Sequence, residues 1–404
     1  EYFEYLKELL REAGADHVKV VGGGGGVIVD EEIQRLRAAG VTIFSPEDGQ
    51  RMGLVGMINS VIADCDFDVT QVGGVDVQGV LAGDRAAVAR AISAAELGTL
   101  AAADLTELMG AASRRVTPIL GITGTGGAGK SSLTDELVRR FRREHEDKLR
   151  IAVLAIDPSR RRGGGALLGD RIRMEEHATD AGVFLRSMAS RGHLGGVAAA
   201  TTQAVRVMEA AGCDVVLIET VGVGQSEVEV VALADTTVVL LAPGLGDGIQ
   251  AAKAGILEIG DVFVVNKADR DGADNTVRDL RHMIQMSDRS EPGLWRPPVL
   301  KATALSSDGL EAVVDAVADH RIWLERTGAL AERRRDRTRA EVLALALAAM
   351  ADELEHDHAR LDAAVSSVVE GSADASSAAA DLVERFRRAR EGSPGLAPQA
   401  DPRR

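Results

Sequence analysis

The sequence predicts an α/β fold with a mostly parallel, doubly wound sheet. Seven short β-rich runs occur after residue 117, and helical stretches separate most of them, which is the pattern of parallel strands joined by crossover helices. A glycine-rich loop connects the first run to the next helix, as is common in doubly wound sheets. The predicted strands are residues 118–123, 151–156, 183–186, 214–219, 236–242, 261–266 and 299–303.

Residues 1–70 show a smaller α/β pattern. Its predicted elements are helix 2–13, strand 17–21, helix 30–39, strand 41–44 and helix 49–63. A parallel sheet with only these two strands would have poorly covered edges. We therefore interpret the segment as a partial α/β domain that begins upstream of Glu1.

The remaining segments are predicted to be helical or disordered. Residues 71–116 are rich in alanine and glycine and are expected to form a helical linker to the α/β domain of residues 117–325. After that domain the strands stop, and residues 326–390 are predicted to form a helical arm. The Pro- and Gly-rich residues 391–404 are expected to be disordered.

Composition argues against several classes of protein. The chain has 404 residues and a net charge of −15, which disfavours binding to nucleic acid or to an anionic membrane surface. No apolar run reaches the about 18 residues that a membrane-spanning helix requires. The two cysteines, Cys65 and Cys213, lack the spacing of a metal site and favour a reduced, cytoplasmic protein.

A phosphate-binding loop is predicted between the first strand of the larger domain and its helix. Residues 124–131, GTGGAGKS, match G-x-x-x-x-G-K-[ST] in the required strand and helix context. Glycines let backbone N–H groups turn towards phosphate oxygens, and the helix N-terminus adds positive charge. Lys130 can reach the β- and γ-phosphates and Ser131 can bind Mg²⁺, whereas a glycine-rich turn without a ligand is the alternative. The candidate residues are Gly124, Gly126, Gly127, Ala128, Gly129, Lys130, Ser131 and Ser132.

Guanine is the predicted base. Residues 266–269, NKAD, close a strand, and Asp269 can accept hydrogen bonds from both donors on the Watson–Crick edge of guanine, which adenine cannot match. The first two residues of this motif would brace the loop and cover the base, and the loop after the last strand could offer an N–H to the guanine carbonyl. A solvated loop is the alternative. The candidate base-side residues are Asn266, Lys267, Asp269, Thr303, Ala304 and Leu305.

Carboxylates near other strand ends are candidates for the metal shell. Asp157 follows the second strand of the larger domain and could bind Mg²⁺ together with Ser131. Asp170 follows a flexible loop that could close on the γ-phosphate, and Glu219 ends another strand. The alternative for each carboxylate is a helix cap or a solvated side chain.

Catalysis is predicted to depend on positioning and on neutralisation of charge, as phosphoryl transfer requires. Lys130 would neutralise charge on the phosphates. The Gly222 N–H could sense the γ-phosphate, and Gln225 could orient the attacking water.

Residues 117–325 also resemble a known family. The matching stretches are GITGTGGAGKSSL, IDPSRRRGGGALLGDRIRM, RSMASRGHLGG, ETVGVGQSEVEV, APGLGDGIQAAKAGILEI and VNKADRDGA. They resemble the G-protein chaperones of acyl-CoA mutases, the MeaB/ArgK group of the SIMIBI class of P-loop GTPases. The resemblance implies slow GTP hydrolysis coupled to the loading and protection of adenosylcobalamin in a partner mutase. It also implies that Asp157, Asp170 and Glu219 belong to the magnesium shell.

The resemblance extends to a partner switch and to the arm. Residues 246–258 would report the nucleotide state to the partner mutase, and the prominent residues are Gly246, Asp247, Gln250 and Lys253. The arm resembles the dimerisation arm of stand-alone members, which implies a homodimer. Its arginine-rich run, residues 333–339, is predicted to be a solvated helical face, with a docking patch as the alternative.

The N-terminal segment resembles a different module. Residues 1–70 are similar to the C-terminal half of a flavodoxin-like cobalamin-binding domain, and the order of segments resembles fused isobutyryl-CoA mutase. Gly22, Gly23 and Gly24 would then let the nucleotide tail of the cofactor pass close to the backbone. The D-x-H-x-x-G segment that would supply a histidine to cobalt is absent, so adenosylcobalamin is expected to act through the partner.

Two other functions remain open at this point. Nickel-insertion GTPases share the P-loop architecture, although the sequence lacks the His/Cys clusters expected of them. Alternatively, the chain could be a cobalamin-binding or docking module of a fused mutase, with a GTPase that acts only as a conformational switch. Hydrolysis rates with and without a mutase would separate an active enzyme from such a module.

Overall fold

The computed structural model describes most of the chain as two compact units, Glu1–Gly74 and Val75–Arg404. The described residues are 2–12, 15–23, 29–67, 74–158, 177, 179–190, 196–220, 233–244, 256–286 and 293–391. The tail that is expected to be disordered therefore lies, except for residue 391, outside the described residues.

The smaller unit contains a parallel pair of strands. Its elements are α1 Tyr2–Glu12, β1 Val20–Gly23, α2 Asp30–Ala38, β2 Val41–Phe44 and α3 Pro46–Cys65. A small core of Val20, Ile33, Leu36, Val41 and Ile43 packs between the strands and the first two helices. The third helix begins with a capping box between Ser45 and Asp48, which explains why it starts earlier than the sequence predicts.

The first strand of the smaller unit lies three residues later than predicted and includes two of the glycines. Gly22 pairs with Ile43 in the parallel register. A Cβ on Gly22 would lie 2.7 Å from Cζ of Phe3, so the ring packs where a side chain would otherwise stand. The packing of α1 on the strand therefore explains why position 22 is a glycine.

The larger unit is built on a sheet of seven parallel strands in the described residues. The strands are β3 Ile119–Gly124, β4 Ile151–Pro158, β5 Val183–Ser190, β6 Val215–Thr220, β7 Thr236–Leu241, β8 Val262–Val265 and β9 Val299–Lys301. Their order is β5-β4-β6-β3-β7-β8-β9. The predicted α/β fold is confirmed, and the first strand lies in the middle of the sheet, where doubly wound folds bind ligands.

Helices cover both faces of this sheet. They are α4 Val77–Ala82, α5 Arg85–Leu97, α6 Ala102–Ala112, α7 Lys130–Glu144, α8 Gly196–Ala210, α9 Ile256–Ile259, α10 Ala273–Met286 and α11 Leu310–Thr327. Alternation along β4 shows the two layers: Val153 packs with the α7 and α11 layer, whereas Leu154 packs with the α5, α6 and α8 layer.

The segment expected to be a linker belongs to the core of the larger unit. Val80, Ile92 and Leu108 of α4, α5 and α6 are fully buried and pack with residues of β4, β6 and α8. Arg186 of β5 also donates to Glu96 of α5 at 2.5 Å. The predicted helices are therefore present, but they cover one face of the sheet and are more than a connection.

The arginine-rich run is only partly a solvated face, which corrects the sequence-based interpretation: Arg335 and Arg339 are exposed, but the other three arginines are engaged. Arg333 donates to both carboxylate oxygens of Asp261 at 2.8 and 2.9 Å, and Arg334 donates to Asp235 at 2.6 Å. Arg337 is buried and donates to the carbonyl oxygen of Leu233 at 2.8 Å. Both aspartates are buried at the amino ends of the strands, so these arginines hold the arm on the edge opposite the glycine-rich loop.

The carboxylates of Asp235 and Asp261 also accept hydrogen bonds from backbone N–H groups of the sheet. Asp235 accepts from the Ile119 N–H at 3.2 Å, and Asp261 accepts from the Thr237 N–H at 2.9 Å. Beside them, Nδ1 of the buried His320 shares a hydrogen bond of 2.9 Å with the Thr236 hydroxyl. Burial lowers the pKa of His320 to about 4, so it is neutral at pH 7 and adds no positive charge to this cluster.

The C-terminal arm consists of three helices. They are α12 Ala329–His356, α13 His358–Val369 and α14 Ala375–Glu391. Residues 370–374 separate α13 from α14, and a further break occurs at Asp357, which caps α13. In the described residues no single helix is long and apolar enough to span a bilayer, and one bent pair, α5 with α6, meets that test only jointly.

Candidate functional site

The glycine-rich loop has the backbone that its sequence predicts. Gly124, Gly127 and Gly129 have φ angles of 143°, 74° and 90°, a region that side chains rarely allow. At Gly124 a Cβ would lie 2.0 Å from the Leu240 carbonyl oxygen on β7, because the two strands pair at this position. The loop therefore needs glycine here for conformation and for close approach.

Lys130 and Ser131 begin helix α7 at the mouth of the loop. Lys130 is buried, and its Nζ donates to the Gly124 carbonyl at 2.7 Å and to the Thr125 carbonyl at 3.3 Å. The Ser131 hydroxyl donates to Oε1 of buried Glu219 at 2.6 Å. Glu219 is brought here because β6 pairs with β3. A cation, a hydroxyl and a carboxylate thus meet where the loop joins the helix.

The N-K-A-D segment braces the same loop from the far side of β7. The Asn266 side chain donates to the Ala128 carbonyl at 2.8 Å and accepts from the Ala304 N–H at 3.1 Å. Lys267 has a left-handed φ of 57°, and its Nζ donates to the Gly127 carbonyl at 2.7 Å. The bracing role predicted for Asn266 is present in the structure as these two hydrogen bonds.

A cleft of about 640 Å³ brings the predicted residues together. Its lining residues are Gly126, Gly127, Gly129, Lys130, Ser131, Ser132, Glu219, Asn266, Lys267, Asp269, Arg270, Thr303, Ala304 and Leu305. The cleft therefore combines residues of the phosphate loop, of the N-K-A-D segment and of the loop after β9. The cleft volume is suitable for a small-molecule ligand.

Two candidate residues do not line the cleft, and the N–H of a third already has a partner in the protein. Gly124 and Ala128 do not line the cleft: Gly124 is the last residue of β3, and Ala128 is buried beneath Asn266. The Ala304 N–H is engaged by Asn266, which leaves Leu305 as the candidate N–H donor to a ligand. The sequence-based reasoning missed Arg270, which lines the cleft and directly follows Asp269.

Several predicted residues fall outside the described residues. They are Gly24, Asp170, Gly222, Gln225, Gly246, Asp247, Gln250 and Lys253, together with the side chain of Asp157. Gly22 and Gly23 belong to the smaller unit and lie on β1. In the part of the chain that the structure describes, no group of three His, Cys, Asp or Glu residues could hold a metal ion.

Helix α7 also pairs with His177, which is buried. Nε2 of His177 lies 3.1 Å from Oδ1 of Asp135. The hydrogen bond to Asp135 raises the pKa of His177 above its ordinary value, so the imidazole keeps its proton to higher pH than a free histidine. The pair attaches His177 to the helix that follows the phosphate loop.

Comparison with known proteins agrees with this geometry. Residues 88–359 match the family model described as methylmalonyl-CoA mutase-associated GTPase MeaB. Fused isobutyryl-CoA mutase of Nocardia farcinica is 52% identical over 285 residues, which are 70% of this chain and 26% of that protein. The chain therefore spans about a quarter of the length of that fused relative.

Two further similarities are to proteins of which this chain covers most of the length. A relative from Pyrococcus abyssi is 46% identical over 280 residues, which are 68% of this chain and 83% of that protein. The crystal structure of an LAO/AO transport system kinase superposes with a TM-score of 0.56 at 25% identity and covers 77% of this chain and 96% of that one. The fold is thus that of a P-loop GTPase, and the chain belongs to the MeaB family of mutase-associated GTPases.

Proposed function

We propose that this protein is a Mg²⁺-dependent GTPase that gates the loading and protection of adenosylcobalamin in an acyl-CoA mutase. The observation that carries the proposal is the single cleft in which the phosphate loop meets the N-K-A-D segment. A site can select GTP only if its phosphate-binding residues and its base-binding residues contact the same nucleotide. The hydrogen bonds of Asn266 to both neighbouring loops support that arrangement.

Hydrolysis would rest on positioning by residues of the chain. Backbone N–H groups of the glycine-rich loop and the start of α7 would hold the phosphates, and Lys130 would move from the loop carbonyls to the β- and γ-phosphates. Gly222 and Gln225 remain the proposed γ-phosphate sensor and water-orienting group on sequence grounds. Adenosylcobalamin would be held by the partner, since the sequence supplies no axial histidine motif.

The donor set near Ser131 fits magnesium. The Ser131 hydroxyl and the Glu219 carboxylate are hard oxygen donors 2.6 Å apart at the loop. Asp157 is the penultimate residue of the neighbouring strand β4, and Asp170 is the third proposed carboxylate. When bound, Mg²⁺ would neutralise charge on the phosphates, and these oxygens would hold it there.

The guanine assignment predicts a change of base preference in Asp269→Asn. The carboxylate would accept two hydrogen bonds from guanine, whereas the amide of asparagine has one acceptor oxygen and can keep only one of them. Loss of one charged hydrogen bond, about 1.5–3 kcal/mol, should lower the affinity for GDP roughly 10- to 150-fold. Affinity for XDP should rise, because the amide can donate to the extra xanthine oxygen. Calorimetric titration with both nucleotides measures the change.

Asp271→Asn is the matched control for that experiment. Asp271 is exposed, lies two residues along the same loop and does not line the cleft. Its nucleotide affinities should equal those of the wild type. Unchanged GDP affinity in Asp269→Asn would remove the guanine assignment and leave only a phosphate-binding loop.

The partner assignment predicts that a mutase stimulates hydrolysis. The family description names methylmalonyl-CoA mutase, and the Nocardia farcinica relative joins the matched region to isobutyryl-CoA mutase. We expect GTP turnover to rise several-fold with either mutase, and Lys253→Ala to reduce that rise. Initial rates of phosphate release with and without each apo-mutase measure it. An unchanged rate with both mutases would favour the alternative of a docking module whose GTPase is only a switch.

We also propose that the arm forms a homodimer. Val342, Leu343 and Leu347 of α12 and Val365 and Val369 of α13 are 53–81% exposed, which is a large apolar area for a surface helix. Light scattering on the purified chain should give twice the chain mass of 42.5 kDa. A mass of one chain at micromolar concentration would exclude the dimer.

A further inference from the structure

A hydrogen bond joins the base side of the cleft to the phosphate side. The Ser307 hydroxyl donates to Oε1 of Glu136 at 2.7 Å. Ser307 lies in the loop that follows β9, residues 303–309, and Glu136 lies on α7 within two turns of Lys130. The two residues are 171 positions apart in the sequence. We call this contact the Glu136–Ser307 latch.

Glu136 is a fixed anchor for the latch. Its side chain is buried, and its other oxygen, Oε2, accepts from Arg139 at 2.5 Å. Arg139 also contacts Asp135 at 3.1 Å on the same helix. Both carboxylate oxygens of Glu136 are therefore engaged, so the side chain keeps one orientation relative to the phosphate loop.

The 303–309 loop has a backbone that needs such an anchor. Ser307 has a φ of 60°, a left-handed conformation that costs a non-glycine residue free energy. The loop returns on itself through the Thr303 N–H to the Asp308 carbonyl at 2.9 Å. Gly309, with a φ of 74°, then passes so close to β9 that a Cβ would lie 2.2 Å from the Lys301 carbonyl oxygen.

The same loop forms one wall of the cleft. Thr303, Ala304 and Leu305 line it together with Asp269. Asn266 holds the Ala304 N–H, but Leu305 is 91% exposed and has no comparable packing. The position of Leu305 relative to a bound base therefore depends on how the rest of the loop is fixed.

We propose that the Glu136–Ser307 latch positions the 303–309 loop for the base of the nucleotide and so sets base affinity. The proposal rests on the proposed guanine-nucleotide site. Glu136 and Ser307 are positioning residues: neither lines the cleft, and they act through Leu305 and Ala304. Loss of the latch should weaken binding of the base while binding of the phosphates, which depends on Lys130 and the glycine-rich loop, is retained.

The test compares Ser307→Ala, Ser307→Gly and Glu136→Gln with the wild type. Because the hydroxyl binds a charged acceptor but Ser307 is exposed, Kd for Mg·GDP should rise roughly 5- to 10-fold in Ser307→Ala. Glycine adopts the left-handed backbone freely, so an equal rise in Ser307→Gly assigns the effect to the hydroxyl. Glu136→Gln keeps an oxygen acceptor and should retain most of the affinity, whereas Glu136→Ala should not.

Controls separate a positioning role from general damage. Mg·pyrophosphate, which has no base, should bind each variant as it binds the wild type, and kcat for GTP should stay within twofold while KM rises. Ser306→Ala removes a neighbouring hydroxyl that bonds within the loop, to Asp308 at 2.6 Å, and should leave Kd for GDP unchanged. The double variant Glu136→Ala/Ser307→Ala should be no weaker than either single variant.

The outcomes distinguish the latch from the underlying site. Wild-type affinity for GDP in Ser307→Ala and Ser307→Gly would overturn the latch while leaving the guanine site in place. Equal weakening of pyrophosphate and GDP would also overturn it, because the effect would then be structural. A wild-type chain that does not bind GDP would instead contradict the proposed function.

Discussion

Lys130→Ala is expected to reduce GTP turnover at least 100-fold without unfolding the protein. Lys130 is the buried cation at the junction of the phosphate loop and α7, and its Nζ lies 2.7 Å from the Gly124 carbonyl. A donor aimed at charge that develops on a phosphoryl group commonly accounts for about 10²–10³ in rate. Alanine removes that donor and the positive charge together.

The measurement is the steady-state rate of phosphate release at saturating GTP, with circular dichroism as a check on the fold. Lys148→Ala is the control, since Lys148 is exposed and pairs with Glu146 in the segment that follows α7. The control should keep the wild-type rate. A Lys130→Ala rate within a few-fold of wild type would show that the loop does not hold the reacting phosphates.

Asp235→Ala is expected to destabilise the larger unit by about 3–5 kcal/mol, the usual cost of removing one partner of a buried ion pair. Asp235 is 2% exposed and faces Arg321, Arg334 and Arg337 at 3.4, 2.6 and 3.7 Å. It also accepts from the Ile119 N–H at the start of the central strand. The substitution leaves the buried Arg337 and the partly buried Arg321 and Arg334 without their counter-charge, and it leaves one strand N–H without its acceptor.

Tryptophan fluorescence during urea unfolding can measure this loss. Both tryptophans of the chain, Trp295 and Trp323, pack around His320 in the larger unit, so the signal reports this unit. Asp336→Ala removes an exposed carboxylate from the same helix as Arg334 and Arg337 and should change the midpoint little. A free energy of unfolding within about 0.5 kcal/mol of wild type in Asp235→Ala would contradict a structural role for the cluster.

Local patterns allowed much of the fold and the cleft to be predicted from the sequence. The strands of the sheet are rich in apolar and β-branched residues because both faces of the sheet are covered by helices. In β7, Thr236–Leu241, all six residues are buried. The phosphate loop and the N-K-A-D segment are short motifs, and the residue types and spacing of each motif are enough to predict which part of a nucleotide it binds. Their meeting in one cleft follows from the parallel topology, which brings strand carboxyl ends to one edge.

The features that could not be predicted depend on partners that are distant in the sequence. Arg333 and Arg334 look like residues of a solvated helix until Asp261 and Asp235 are placed beside them. Helices α4 to α6 have the composition of a flexible connection, yet they bury Ile92 and Leu108 against β-strand residues that occur later in the chain. No local signal marks Ser307 as the partner of a glutamate on α7.

Glycines show the same limit in another way. In the sequence, only the glycine run before Lys130 and Ser131 is marked as a phosphate loop, and neither run shows what each glycine packs against. A Cβ on Gly124 would meet the Leu240 carbonyl, and a Cβ on Gly22 would meet the Phe3 ring. One glycine serves the phosphate loop and the other serves helix packing. Only the three-dimensional neighbours distinguish these two causes.

The central claim is that the cleft selects a guanine nucleotide, and calorimetric titration of the whole chain with Mg·GDP and Mg·ADP tests it most directly. Because Asp269 would accept two hydrogen bonds from guanine, we expect Mg·GDP to bind at one site per chain and at least tenfold more tightly than Mg·ADP. Equal affinities for the two nucleotides, or binding of neither, would contradict the claim.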